Sequence, residues 1–534
     1  MDIKYHSDPQ KNELKKLQMI ASSLNKYSLN YLLQLSSFLS FISSYEEEIG
    51  NFSQYRFFDY SFIEMFCKAI LLSKSRNYKE KILDSKIFCK IHDKLREVNI
   101  HYIADCDEEV NINKLLSIVS NTQCHHQQKN FFIEFGRQLM VYKIIPEKYK
   151  LNKKEDWIDF ISIFEEKIQV NFELYFLYNA YLFVFCLDRG KKLIQQLNKF
   201  KVDAAKIVDF FNQVIYINST NFSIDTSKAF EDIKRKTGFN GDYLTTFFSI
   251  DISEIKNLVR IKDYDRLISD WQPFRNKSLI KIENGNFIIP SLYDYKLRML
   301  DVIPTYINSQ EKPILKGIFT ELGYCYEKYV LNYFAEKIPN IIIIPERNFN
   351  SSNLGPDIVI VDRSKNILIA IEIKSKHIKL NSRHNPSNEE KNGLIDISLT
   401  EMRNLNEKIK KIFRYEGDYK EYQSAISSCK IENSFSLVIC ADYGFFIDKE
   451  IWERYSENND HINYNYIFMD IPRIENVIEY TAHHNKLISD SLQTYMDILV
   501  KNEPKTSVEE YFRNFDIKNS LIYQIFNNFM KSFD

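Results

Sequence analysis

Three charged side chains lie inside two of the most apolar segments of the chain. The stretch GPDIVIVDRSKNILIAIEIKSK, residues 355–376, places Asp357 at the start of the first segment and Glu372 and Lys374 near the end of the second. Burying a charge is costly unless a partner or a metal ion compensates it. These three residues are therefore either incidental charges at the rim of a sheet or members of a functional site.

The spacing predicts a β-hairpin whose two strands bring the carboxylates together. Strands over 357–361 and 367–374 are joined by five residues, so the numbers of two facing residues in an antiparallel pair add up to 728 or 729. With a sum of 729, Asp357 faces Glu372 at a Cβ separation of about 5 Å. With a sum of 728, it faces Ile371.

Two like charges that face each other destabilise a sheet, so a cation between Asp357 and Glu372 is the natural explanation. Because side chains alternate along a strand, Lys374 shares the face of Glu372. Carboxylate oxygens suit Mg²⁺ or Mn²⁺, and Mg²⁺ usually takes one or two carboxylates and keeps several waters. Such a metal ion acidifies its water, and a nearby lysine orients or deprotonates that water. The residues predict metal-assisted hydrolysis of a phosphodiester.

The same residues resemble a known family. Pro356-Asp357, followed after fourteen residues by Glu372-Ile373-Lys374, resembles the motif of the PD-(D/E)XK nuclease superfamily, which has the restriction-endonuclease-like fold. The resemblance covers about residues 320–470. It implies that Asp357 and Glu372 bind Mg²⁺, for which Mn²⁺ substitutes, and that the carbonyl of Ile373 adds a ligand. It also implies that Lys374 serves the attacking water.

Many members of that family use a further Glu on the helix before the hairpin. Glu321 and Glu327 both lie in FTELGYCYEKYVLNYF, residues 319–334. They are about 240° apart around a helix, so they cannot both face the sheet. We favour Glu327 as a catalytic residue, since Gly323 one turn earlier allows close approach. Glu346, at the end of the next strand, is an additional candidate.

The hairpin is followed by a basic segment. Residues 363–414 contain twelve Lys or Arg and six Asp or Glu, and such surfaces attract phosphates. The predicted nucleic-acid-binding residues are Lys376, Lys379 and Arg383. Further basic residues end the next helix, at Lys408, Lys410, Lys411 and Arg414, where a charge run is usually a solvated face. The polar segment 377–393 predicts a mobile loop beside the site.

The elements around the hairpin predict a layered α/β domain with a mixed sheet. In chain order they are a helix 314–337, strands 341–345, 357–361 and 367–374, a helix 398–413, a strand 435–441, a helix 447–455, a strand 466–470, and helices 474–500 and 508–531.

The N-terminal half is predicted to be mostly helical, because apolar residues from about 12 to 266 recur at i, i+3, i+4 and i+7. A hairpin over 278–291 follows, then a helix 293–303 that ends before Pro304.

We therefore predict a two-part α+β chain, with a mostly helical N-terminal half and a C-terminal α/β mixed-sheet domain of the restriction-endonuclease-like fold. The predicted ranges are a helical domain 1–270, a β-hairpin and connecting helix 271–308, and a nuclease-like domain 309–534 with C-terminal helices. The helical domain is expected to recognise a substrate feature, a partner protein or an activating ligand.

The composition of the chain limits the classes of protein to which it could belong. Lys and Arg number 71 and Asp and Glu 72, so any basic surface must be local. Eight scattered cysteines without a CxxC motif, and no signal peptide at the start, predict reduced thiols in the cytoplasm. The residues Cys124-His125-His126 lack a second ligand pair for zinc.

The apolar run Leu174–Leu187 is shorter than the roughly twenty residues of a membrane span, so a buried helix and no membrane are expected.

The function predicted from the sequence is a Mg²⁺-dependent endonuclease, for which DNA is the favoured substrate and RNA the alternative. By analogy at the level of the fold, a bacterial defence or restriction system fits this layout. The alternative is a catalytically inactive protein that uses the nuclease fold to bind nucleic acid or as a scaffold. Sequence specificity, endonuclease against exonuclease action, and assembly into a homo-oligomer stay open.

Overall fold

The structure is a computed structural model that describes most of the chain. The described residues are 9–48, 60–76, 81–97, 131–151, 159–197, 203–217, 222–239, 241–258, 274, 277–283, 285–308, 312–344, 348–349, 353–377, 388–442, 454, 465–501, 511–512, 515, 518 and 520–532.

The chain forms two compact units. The first comprises Met1–Glu134, Phe164–Thr305 and Phe533–Asp534, and the second comprises Phe135–Ile163 and Tyr306–Ser532. Each unit is assembled from separate segments, whereas the ranges predicted from the sequence are continuous.

The described elements up to residue 308 are mainly helices. They are α1 Pro9–Leu24, α2 Leu29–Glu48, α3 Tyr60–Leu72, α4 Ser85–Arg96, α5 Phe131–Leu139, α6 Ile145–Lys148, α7 Phe160–Ile168, α8 Phe172–Leu197, α9 Ala204–Phe210, α10 Thr226–Thr237, α11 Asp242–Phe248, β1 Ser249–Asp251, β2 Leu279–Lys281, β3 Phe287–Ile288 and α12 Leu292–Asn308. Short π-helical turns at Met140–Ile144 and Phe211–Ile217 follow α5 and α9, and a 3₁₀ turn at Ile255–Leu258 follows β1.

The remaining described elements include both strands and helices. They are α13 Lys312–Lys337, β4 Ile341–Ile344, β5 Asn348–Phe349, β6 Asn353–Leu354, β7 Ile358–Asp362, β8 Ile367–His377, α14 Asn388–Phe413, α15 Gln423–Ile426, β9 Phe435–Asp442, β10 Asn465–Asp470, α16 Ile471–His483, α17 Ile488–Lys501 and α18 Leu521–Lys531. Two 3₁₀ turns, Gly417–Tyr422 and Ile431–Asn433, flank α15.

The chain is mostly helical and contains two mixed sheets, which confirms the predicted α+β class. In the first unit, β2 pairs parallel with β1 and antiparallel with β3. The pairing of β2 with β3 confirms the hairpin predicted over 278–291. Its turn uses Gly285 at a positive φ of 82°, a conformation that glycine adopts without steric cost.

The apolar run Leu174–Leu187 lies within α8. Most of this helix is buried, including Tyr175, Phe176 and Cys186, whereas Phe185 is 40% exposed. Among the described residues, no single helix is long and apolar enough to cross a membrane. Two consecutive helices, Ile161–Ile168 and Phe172–Leu197, meet the length and composition test only as a pair bent by 65°.

The second unit is organised around a five-stranded sheet with the order β10-β9-β8-β7-β4. Strands β4, β7 and β8 pair antiparallel, and β8, β9 and β10 pair parallel. Every second residue of β7 and β8 packs against α14: Val359 and Val361 of β7 and Leu368 and Ala370 of β8 share a core with Met402, Leu405 and Ile409. The predicted strands of this sheet are confirmed, with ends shifted by three residues at most.

Three predicted helix ends are wrong. Helix α12 continues through Pro304 to Asn308. An internal proline costs roughly 3 kcal/mol, but the flanking Val302 and Ile303 are buried, and this packing favours the continuous helix.

Helix α14 begins at Asn388 rather than 398 and shortens the loop predicted over 377–393. The predicted helix 474–500 is two helices, α16 and α17, because Asn485 adopts a positive φ of 50° and the amide of Lys486 donates back to the carbonyl of Thr481, a helix-ending motif.

Two further predicted helices lie partly outside the described residues. Of the predicted helix 508–531, the structure describes α18 and a few preceding residues. The predicted helix 447–455 lies outside the described residues except for Arg454.

Candidate active site

The β7–β8 hairpin has the register that brings the two carboxylates together. Ile358 pairs with Ile371 and Asp362 with Ile367, so facing residue numbers add up to 729. Asp357 immediately precedes β7 and continues this register opposite Glu372. The Asp357 carboxylate also accepts a hydrogen bond from the backbone amide of Ile373, with an N to Oδ2 distance of 2.6 Å.

The connection between the strands stabilises this register. Asp362 accepts a hydrogen bond from the amide of Ser364 at 3.0 Å and from the hydroxyl of Ser489 at 2.7 Å. Asn366 adopts a positive φ of 54° just before β8. Asx turns and left-handed asparagine are typical of tight connections, so the local sequence, together with the contact from Ser489 in α17, favours the pairing that aligns Asp357 with Glu372.

Glu372 and Lys374 point to the α14 face of the sheet. They lie two and four residues beyond Ala370 in β8, so their side chains share the face of Leu368 and Ala370, which pack on α14. Ser375 points to the opposite face, where its hydroxyl donates to the carbonyl of Phe319 in α13 at 2.8 Å. Gly323, one turn further along α13, approaches the same serine, since a Cβ at this position would lie 3.7 Å from its Oγ.

Helix α14 supplies two charged groups to the site. The ammonium of Lys408 lies 2.7 Å from Oε2 of Glu372. The ammonium of Lys374 lies 3.1 Å from Oε1 of Glu372 and 3.0 Å from Oε2 of Glu401. These four side chains form a chain of alternating charge that is largely removed from solvent, with Glu372 only 8% exposed.

The sequence interpretation missed Glu401 as a partner of the site, and it placed Lys408 only in a basic run that either contacts nucleic acid or is a solvated face. A signal for both was present. Glu401, Leu405, Lys408 and Ile412 follow i, i+4, i+7, i+11 spacing, which places them on one stripe of the helix. Leu405 and Ile412 are fully buried. Two charged residues on a buried stripe indicate a polar partner on the facing sheet.

The surroundings of Asp357 and of Lys374 shift the pKa values of these two groups for different reasons. Removal from solvent and the neighbouring charge of Glu372 raise the pKa of Asp357 to about 7, against the opposing effects of the Ile373 amide, Lys408 and Lys374. Burial acts to lower the pKa of Lys374, but Glu372 and Glu401 outweigh it and the net pKa is raised. Lys374 therefore stays protonated at neutral pH, whereas Asp357 is only partly ionised there because its negative charge is poorly compensated.

The donor set at the end of the hairpin fits a small divalent cation. Asp357 and Glu372 offer hard oxygens from facing positions, and Mg²⁺ commonly uses only one or two carboxylates. Among the described residues, no group of three or more His, Cys, Asp or Glu side chains is placed to hold a metal ion. In this structure Glu372 is paired with Lys374 and Lys408, and Asp357 accepts the amide of Ile373.

Only some of the other predicted site residues lie in the described part of the chain. Glu327 and Glu321 are half-buried on α13, and the choice between them stays a prediction. Lys376 lies in β8. The remaining predicted residues, Lys379, Arg383 and Glu346, lie outside the described part of the chain, as do Cys124, His125 and His126.

Comparison with known proteins adds no relative. No protein-family model, no curated protein and no solved structure matches this chain.

Proposed function

We propose that this chain is a metal-dependent nuclease that hydrolyses phosphodiester bonds, in DNA rather than RNA. The observation that carries the proposal is the β7–β8 register, in which facing residue numbers add up to 729. Continued by one residue, this register sets Asp357 opposite Glu372, and strand alternation puts Lys374 on the same face. The order of elements supports it, since α13 precedes the hairpin and α14 and β9 follow it, as in the PD-(D/E)XK proteins that the motif resembles.

Each residue of the motif has a distinct task in this proposal. Asp357 and Glu372 would hold Mg²⁺, with the carbonyl of Ile373 as a further ligand. The metal ion supplies an acidified water and charge screening for the phosphodiester. Lys374 is held between two carboxylates and is protonated, so it donates hydrogen bonds to the attacking water or to the developing negative charge and does not take up a proton.

The proposal predicts cleavage that requires a divalent cation. Purified protein is incubated with plasmid, linear duplex, single-stranded DNA and RNA, each with Mg²⁺, Mn²⁺ or EDTA. We expect products with either metal ion and none with EDTA, and we expect Lys374→Ala to remove the activity. Lys410→Ala is the matched control, because Lys410 lies on α14 and pairs with Glu407 at 2.6 Å rather than with the motif. Cleavage that survives both EDTA and Lys374→Ala would overturn the mechanism.

One observation favours the alternative, a nuclease-fold protein that binds nucleic acid or acts as a scaffold without turnover. Lys374 and Lys408 already neutralise both oxygens of Glu372, as in a site that has exchanged a metal ion for internal ion pairs. Saturable binding of nucleic acid without products under any metal condition would identify this second function.

The wider role also follows from the sequence alone. We propose nucleic acid as the partner, a cytoplasmic location, and recognition of a substrate feature, partner protein or activating ligand by the helical first unit. A defence or restriction role stays an analogy at the level of the fold.

A further inference from the structure

Lys408 differs from Lys374 in how it is held. Lys374 lies between two carboxylates, Glu372 and Glu401. Within the part of the chain that the structure describes, Lys408 has one carboxylate partner, Glu372. Loss of that partner would leave Lys374 anchored by Glu401, whereas it would release Lys408.

The charges of the cluster leave room for one more cation. Asp357, Glu372 and Glu401 against Lys374 and Lys408 give a net charge of −1 when all five groups are ionised. A divalent cation between Asp357 and Glu372 would bring the net charge to +1, which attracts a phosphate.

A metal ion at Glu372 would compete with Lys408 for the same carboxylate. Mg²⁺ binds carboxylate oxygens at about 2.1 Å, and Lys408 lies 2.7 Å from Oε2 of the same carboxylate. Two cations that share one carboxylate in a partly desolvated site repel each other strongly. The lysine side chain has a flexible four-carbon stem, so its ammonium can leave Glu372 and reach another anion nearby.

We propose that Lys408 is a positioning residue that exchanges partners: it neutralises Glu372 in the metal-free protein and moves to a substrate phosphate when a divalent cation takes Glu372. The inference rests on the proposed metal-dependent chemistry and deepens it, because it assigns substrate contact to α14. It also explains how a site with buried carboxylates remains folded before the metal ion binds.

The exchange predicts opposite effects of one substitution on two affinities. Lys408→Gln removes the competitor of the metal ion, so isothermal titration without nucleic acid should show Mg²⁺ binding about three- to tenfold tighter than in the wild type.

The same variant lacks the phosphate contact. It should bind a phosphorothioate-linked analogue of the cleaved nucleic acid several-fold more weakly in Mg²⁺, with a salt slope smaller by about one. Fluorescence anisotropy over a salt series measures this.

Two control variants separate this exchange from a loss of folding. Lys410→Gln removes a charge from the same helix without touching Glu372 and should leave both affinities within twofold of the wild type. Lys408→Arg keeps the charge and should retain most of the nucleic-acid affinity. Thermal unfolding of each variant, in EDTA and in Mg²⁺, identifies a variant that is merely misfolded.

The outcomes are distinct. Tighter Mg²⁺ binding together with weaker nucleic-acid binding supports the exchange. Two affinities that fall together in Lys408→Gln, or that both stay within twofold of the wild type, overturn it while leaving the proposed nuclease intact. A wild-type chain that binds neither Mg²⁺ nor nucleic acid overturns the proposed function and this inference with it.

Discussion

Two groups of buried carboxylates in the second unit are compensated in different ways. Glu475 and Glu479, on successive turns of α16, are each surrounded by donors from other elements. Asp357 and Glu372, at the end of the β7–β8 hairpin, face each other. Both groups lie in the same compact unit, so the contrast reflects their local environments.

The α16 carboxylates are matched by several donors each. Glu475 accepts two hydrogen bonds from the guanidinium of Arg137, at 2.5 and 2.6 Å, and one from the hydroxyl of Tyr329. Glu479 accepts from the hydroxyl of Tyr333 and the amide of Leu521, both at 2.8 Å, and lies 3.1 Å from Lys337. Such bidentate and multiple contacts join helices α5, α13 and α18 to α16, so this group is structural.

The hairpin carboxylates are compensated less completely. Asp357 has a pKa raised to about 7 because it is removed from solvent beside Glu372. A perturbed carboxyl next to a like charge is typical of functional sites. Buried charge alone therefore does not indicate a functional site. The proposed site at Asp357 and Glu372 is supported instead by a buried carboxyl that faces a like charge and has a raised pKa.

The largest expected effect is on catalysis. Glu372→Gln keeps the size of the side chain but removes a proposed metal ligand, so the cleavage rate per folded molecule should fall on the order of a thousandfold. Glu416→Gln, at an exposed carboxylate of the same unit, is the control and should cleave normally. A Glu372→Gln variant that cleaves at the wild-type rate would contradict the assignment of Glu372 to a functional site.

The structural group should show the reverse pattern. Arg137→Met leaves the buried Glu475 charge without its guanidinium, and breaking a buried pair in this way costs about 3–5 kcal/mol. Urea unfolding measures the loss, while the cleavage rate per folded molecule should be retained. Adding Glu475→Gln to Arg137→Met should recover part of the stability, because the uncompensated charge is gone. An unchanged unfolding midpoint in Arg137→Met would contradict the assignment.

A smaller effect tests the charge at Asp357 through pH. The pKa of the folded protein, about 7, lies above that of an unfolded Asp, about 3.9. The stabilising contribution of the protonated group is therefore fully present below about pH 4 and is lost as the pH rises through 7.

Asp357→Asn removes this loss. In EDTA we expect the variant to gain stability over the wild type as the pH rises, reaching on the order of 1–3 kcal/mol at pH 8, and to match it near pH 4. Thermal unfolding across this range measures the difference, and Mg²⁺ should reduce it by stabilising the wild type. A difference that does not vary with pH would show that Asp357 is adequately compensated.

The smallest effect concerns an exposed pair of the same unit. Lys365 and Asp490 form an ion pair in which both side chains are 45% exposed. Lys365→Ala should cost less than about 0.5 kcal/mol, since solvent screens such pairs. A loss as large as that of Arg137→Met would show that burial does not separate the two kinds of charge.

Local pattern predicted much of the second unit. The alternation of apolar residues in β7 and β8 and the five-residue connection limited the register to two choices, and the observed one aligns Asp357 with Glu372. The same regularity predicted α13, β4, β9 and β10 to within a few residues. Periodicity sufficed because each of these elements buries a regular face.

Contacts between distant segments could not be predicted in this way. Helix α12 continues through Pro304 against the local preference for a break, because its neighbours are buried. Residues Phe135–Ile163 join the second unit although the surrounding sequence belongs to the first. The pairing of Arg137 with Glu475 contributes to this arrangement, and a separation of 338 residues leaves no local signal.

The candidate residues of the hairpin, their shared face and the apolar strands that hold them could be predicted from local pattern, because strand alternation and connection length are local properties. The charges that complete the cluster could be identified only from the packing of distant segments. Glu401 and Lys408 reach Lys374 and Glu372 because α14 packs its buried stripe across the sheet. The direction in which a helix crosses a sheet depends on the packing of many side chains at once, which no short segment contains.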